Sequence, residues 1–249
     1  MNIFSATRAI AAREWRAYFE SPLAFVFLIA YLLLAGIFTF TFGGFFERGD
    51  ASLAAFFNWM PWLFLFLVPA VGMRLWSEEH RLGTIELLLT MPIAPWQAIL
   101  GKFLASWAFL ILAIALSFPM VLTVNWLGSP DNGTILAGYV GCALLAGTYL
   151  SIASLASACT RNQVIAFIFS IMICLLLNLL GFPPVLDLVG RWIGTEGIEV
   201  MAGFQCYPIL MVFKRVYWIA AMSFILCLFR FFRYSPQVWS CAVIVRVKG

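Results

Sequence analysis

The sequence predicts an all-α, polytopic membrane protein with six transmembrane helices. Three observations carry that expectation. Of 249 residues, 64% are hydrophobic and only 10% are charged, whereas soluble domains average about 25% charged. The apolar residues gather into runs that match a bilayer core, which takes about 20 residues of helix. The segments between the runs hold most of the charge. No stretch is polar enough to make a soluble domain, so a single membrane domain over 1–249 is expected. The net charge of +4 suits loops that face anionic lipid. No basic cluster is dense enough for nucleic acid, and no such partner is expected.

The elements follow in order. In the N-terminal segment Ile10, Trp15, Tyr18 and Phe19 recur at near-helical spacing, with Arg8, Arg13 and Arg16 between them. That pattern suits an amphipathic helix in the headgroup plane. A plain basic flank that sets topology accounts for the same residues equally well. Ser21-Pro22 ends the segment and opens the first span. Spans are expected at 23–42, 53–72, 103–124, 135–155 and 164–180. A half-entering or interfacial helix is expected between 181 and 205. A sixth span at 216–229 lies between Lys214-Arg215 and Arg230; it is short and relies on bilayer thinning or snorkelling. Pro61, Pro69 and Pro119 are expected to kink their helices. Asn58, Thr148, Ser151 and Asn178 are the notable polar residues within spans, expected to bond between helices or to their own backbone. Arg8, Arg13, Arg16, Arg74, Arg81, Lys102 and Arg161 fall on one side of this arrangement, Arg48 and Arg191 on the other. The excess places the N-terminus in the cytoplasm.

One window, "MRLWSEEHRLGTIELLLTMPIAPWQ" at 73–97, concentrates charge between the second and third spans. Gly83 suits a turn and Thr84 an N-cap. Glu86 falls in the first turn of the next helix, where a negative charge favours the helix dipole. Ile85, Leu88 and Leu89 share one face of that helix. Pro92 stops it, and Pro95 opens another that runs into the third span. The product is a short amphipathic helix at the membrane surface. Composition leaves two covers for its apolar face open: the bilayer, or a groove on a partner protein.

"EEHRLGTIELLLTMPI" resembles the signature of ABC-2-type ABC transporter permeases. The matching residues are Glu78, Glu79, Arg81, Gly83, Thr84, Glu86, Leu87, Leu88, Thr90 and Pro92. A second stretch, "SLASACTRNQVIAF", is similar to the family through Ser154, Ser157, Thr160, Asn162, Gln163 and Ala166, with Arg161 between them. "REWRAYFESPLAFVF" is similar to its N-terminal elbow helix. The resemblance covers roughly 5–205, and the spacing looks most like the gliding-motility-type subgroup. It implies a permease subunit in the plasma (inner) membrane, paired with a second copy or paralogue and with two ABC-type ATPase subunits. Arg81–Thr90 would be the cytoplasmic coupling helix, and Thr160, Arg161, Asn162 and Gln163 a second cytoplasmic loop. Export driven by ATP bound on the partner is the implied function. The alternative is a membrane anchor or scaffold that recruits a soluble complex without transport.

Chemistry of the chain's own is not expected. Around Gly101-Lys102, Trp96 replaces the first glycine of a phosphate-binding loop and Phe103 follows the lysine. ATP hydrolysis therefore belongs to another subunit, and no cofactor is expected here. His80 is the only histidine and is expected to be solvated in its loop; the six cysteines form no C-x-x-C pair. A metal site is not expected. Spans one to five carry no ionisable residue at their centres, which argues against an ion-coupled carrier. After Gln205 the sequence departs from the family pattern, and a change of reading frame there would account for the departure.

Overall fold

The computed structural model describes residues 3–45, 52–84 and 95–180. Every element among them is helical. Helix α1 is Ile3–Glu20. Ser21 then caps α2, Pro22–Ile37, its side chain accepting from the Leu23 amide at 3.3 Å, with Pro22 in the first turn. Both are the roles expected of a Ser-Pro pair, because the proline lacks a donor where the helix has no use for one. A π-turn, Phe38–Phe42, extends α2.

Helix α3, Ala54–Gly72, keeps Pro61 and Pro69 inside one continuous element. Met73 separates it from α4, Arg74–Leu82. The third apolar run begins as α5, Pro95–Leu116, at the proline expected to open it, and continues as α6, Phe118–Leu127. The break sits at Ser117, two residues before Pro119. A proline cannot bond the preceding turn, and here the Ser117 amide and hydroxyl both donate to the Ile114 carbonyl, at 3.1 and 2.6 Å. The kink expected at Pro119 is thus a break between two helices.

Helix α7, Asn132–Cys159, is longer than the span expected there. Asp131 caps it, accepting from the Gly133 amide at 2.9 Å and the Thr134 hydroxyl at 2.6 Å. These bonds, the Thr134 hydroxyl foremost, hold its carboxyl below the usual aspartate range. Helix α8, Gln163–Leu180, closes the described chain.

Four helical runs are long and apolar enough to cross a membrane: Pro22–Phe42, Ala54–Leu82, Trp96–Leu127 and Asn132–Cys159. They correspond to the first four expected spans. The fifth, in α8, is apolar but shorter. The expected sixth span and the segment at 181–205 lie outside the described residues.

α3 and α7 form the centre of the bundle. Met60, Phe64 and Val68 of α3 and Ala146, Leu150 and Ala153 of α7 are buried. α8 packs against both, and α5 packs against α7. α2 instead leaves Phe25, Val26, Ile29 and Leu33 more than half exposed. In a membrane protein such a face meets lipid, which is as apolar as the side chains. Three of the four notable polar residues of the spans bond as expected. Thr148 and Ser151 donate back to Leu145 and Gly147 carbonyls, and Asn178 reaches the Pro61 carbonyl at 3.4 Å.

Candidate functional site: a charged clasp where the helices end

The charged window begins as structure rather than as a free loop. α4 follows α3 after the single residue Met73, and Leu75, Trp76 and Ser77 on it are buried. The start of any helix leaves several amides without partners. Here another helix supplies the acceptor. Ser157 of α7 takes the Trp76 and Ser77 amides at 3.0 and 2.9 Å. The same hydroxyl donates to the Met73 carbonyl at 2.8 Å. One turn earlier on α7, Ser154 accepts from the Trp76 indole nitrogen at 3.1 Å. Two serines from the second motif stretch therefore hold the start of the helix on which the first begins. Gly83 ends α4 in the left-handed conformation, φ 72°, its amide bonding the Glu79 carbonyl. Glycine takes that conformation without the clash a Cβ would cause.

Beside this junction lies Lys102 of α5, whose side chain is 5% exposed. Its Nζ stands 2.8 Å from Glu79 Oε1 on α4 and 3.5 Å from Glu14 Oε1 on α1. It donates to the Leu75 carbonyl at 3.2 Å and sits 5.3 Å from the Trp76 ring centre. A buried ammonium is costly unless charge and hydrogen bonds compensate it; these partners do both. α1 is fastened to α5 at more than this point. Tyr18 bonds Ser106 at 2.9 Å and stacks on Phe109 at 4.9 Å. Burial pushes the Tyr18 hydroxyl up to about 12. Gly101 faces Ile10 and the Thr7 carbonyl so closely that a Cβ there would meet both.

The residues expected from sequence separate into two groups. Glu79 points inward to Lys102, while Glu78 and Arg81 form an exposed pair at 3.8 Å. Such a pair contributes little to stability. Thr84, expected as an N-cap, already has helical backbone. Glu86, Leu87, Leu88, Thr90 and Pro92 lie outside the described residues. His80, expected to be solvated, is half-buried, and Ala158 and Arg161 at the end of α7 are among its close neighbours. In the second loop, Thr160 donates toward the Asn162 carbonyl at 3.2 Å, and Asn162 Oδ1 caps α8 through the Val164 amide at 2.9 Å. Gln163 opens α8, and Arg161 is exposed.

Sequence reasoning counted Lys102 as a loop cation and missed Glu14 and Trp76 altogether. A signal was present: Lys102 stands inside "WQAILGKFLASW", a run otherwise apolar apart from Gln97 and Ser106. A lone ion in such a run asks for a partner. Among the described residues no group of three His, Cys, Asp or Glu side chains is placed to hold a metal.

Residues 8–196 match the family described as ABC-2 family transporter protein. No curated protein matches the chain. The match takes in most of the N-terminal helix, the four spanning runs and both motif stretches. The chain therefore belongs to the ABC-2 family transporter proteins, as a multi-pass membrane permease component of an ABC transporter.

Proposed function

We propose that the chain is the permease through which a separate ATPase subunit drives export. In this reading the N-terminus is cytoplasmic and the membrane is the plasma (inner) membrane. ATP is bound and hydrolysed on the partner, and the permease itself carries no cofactor. A second copy or a paralogue completes the pathway, which alternates between inward and outward openings.

One observation carries the coupling role. Glu78 and Arg81 stand on a helix that is pinned to α7 through Ser154 and Ser157 and to α5 and α1 through Lys102. A push on that helix would reach three helices at once, through contacts too well packed to absorb it. Within the window, Glu78 and Arg81 are exposed and available to a partner. The leucines at 87 and 88 would fill its groove.

The test is co-purification from native membranes in mild detergent, read by mass spectrometry. The variant is Glu78→Ala/Leu88→Ala, which keeps Glu79 and Glu14 as the partners of Lys102. An ABC-type ATPase should accompany wild type and fall several-fold in the variant, with membrane insertion unchanged. Absence of any ATPase from both forms would remove the motor from this reading. An ATPase that binds but is never stimulated by substrate would favour the anchor or scaffold alternative.

A further inference from the structure

A cavity of about 600 Å³ opens between α1, α2, the α3–α4 junction and α5. That volume is in the range of small-molecule sites. Its walls are divided by chemistry. Leu23, Ala24, Val26 and Phe27 come from the first turns of α2, and Ala70 and Val71 from the last turn of α3. Glu14, Arg74, Glu78, Glu79 and Lys102 supply its charged lining. α2 enters the membrane where α3 leaves it, so the two sets lie on either side of one boundary. The apolar wall is at the end of the hydrocarbon layer and the charged wall is at headgroup level. Val26 is 61% exposed, so this wall continues into the lipid-facing surface of α2.

The charged wall has a particular balance. Lys102 is already occupied by Glu79 and Glu14. Arg74 is exposed, lines the cavity, and forms no ion pair with a carboxylate of the described residues. It is a guanidinium suited to bidentate capture of a phosphate. The three carboxylates outnumber the two cations of the lining. Glu79 Oε2 is buried without a hydrogen-bond partner among the described residues. A buried carboxylate oxygen in that condition calls for a donor.

We propose that this cavity is a binding site for a phospholipid whose headgroup carries both a phosphate and a primary amine. The phosphate pairs with Arg74. The ammonium, with three donors, lies among Glu14, Glu78 and Glu79. One acyl chain follows Leu23, Val26 and Phe27 out along α2. Headgroup chemistry sets the selectivity. A phosphatidylglycerol brings the phosphate without a cation for the carboxylates. A phosphatidylcholine brings a cation that cannot donate a hydrogen bond. The site is independent of which ATPase drives the protein.

The experiment uses the full chain with whatever subunits accompany it, exchanged into lipid-free detergent and titrated with phosphatidylethanolamine, phosphatidylglycerol or phosphatidylcholine of identical acyl chains. Retention is read by native mass spectrometry. Wild type should retain phosphatidylethanolamine about tenfold more tightly than either other lipid, the scale of one charge-assisted contact. Arg74→Gln removes the phosphate partner, and Ala17→Trp fills the cavity from an exposed position of α1. Each should lower phosphatidylethanolamine retention about tenfold, with the elution profile unchanged. Equal retention of the three lipids by wild type would overturn the proposal, and that comparison needs no variant. Undiminished retention in either variant would overturn it as well.

Discussion

At the scale of single residues, Lys102 decides most. It lies between the ends of two helices and the side of a third, and its charge is balanced there rather than in water. Removing one member of such a group strands the other. Lys102→Met leaves Glu79 half-buried without its cation and should destabilise the protein by about 3–5 kcal/mol. The double variant Lys102→Met/Glu79→Leu replaces the pair with apolar atoms and should recover most of that loss. Thermal unfolding of the detergent-purified protein checks both. A double variant no better than the single would mean that the ion pair itself, rather than the stranded charge, dominates. The same view changes the meaning of the paired glutamates. Adjacent in sequence, Glu78 and Glu79 point to different surroundings, because neighbours on a helix are about 100° apart. One is a surface charge; the other belongs to the interior.

Among elements, close approach of α3 and α7 makes the centre of the bundle. Gly72 meets Ala153 there, and a Cβ on the glycine would collide with the alanine side chain and crowd its backbone. Small residues at such contacts let helices gain dispersion and hydrogen bonds where lipid offers no hydrophobic drive. Gly72→Val should push α3 from α7 and loosen the bonds of Ser157 to Trp76 and Ser77, which lie within two turns of it. A loss of about 1–3 kcal/mol is expected from overpacking. Trp76 reports it directly: its buried, hydrogen-bonded indole should shift its fluorescence to the red. An unshifted spectrum would show that the junction survives the displacement. With ten tryptophans in the chain, the measurement needs a Trp76→Phe control. The elements themselves were largely legible, since the caps at Ser21 and Gly83 and the apolar runs are local patterns. The break at Ser117 was placed at Pro119 instead, because sequence locates the proline but not where the helix relieves it.

For the whole molecule, the open matter is orientation. The described bundle puts the N-terminal helix, the α3–α4 junction and the α7–α8 turn at one end, joined through Ser157 and Lys102. Arg8, Arg13, Arg74, Arg81 and Arg161 share that end, so the positive-inside rule predicts that it is cytoplasmic. Cys159 is exposed at this end, whereas Cys142 and Cys174 are buried. A variant keeping Cys159 as its only cysteine should react with a membrane-impermeant maleimide in inverted vesicles and not in intact cells. Reaction in intact cells alone would invert the topology and place this end out of reach of a cytoplasmic ATPase.

The sequence by itself determined the class of protein, four of the spanning runs and the two motif stretches that mark the family. Those are local properties: an apolar run either reaches bilayer length or falls short of it, and a motif is a string. Tertiary structure alone decided what the motifs touch. It turned the second stretch into the cap of α4, moved Glu79 inside, and brought Glu14 and Lys102 together with it. Partners for a buried charge are chosen by proximity in space, and residues 14, 79 and 102 become neighbours only after three helices have packed.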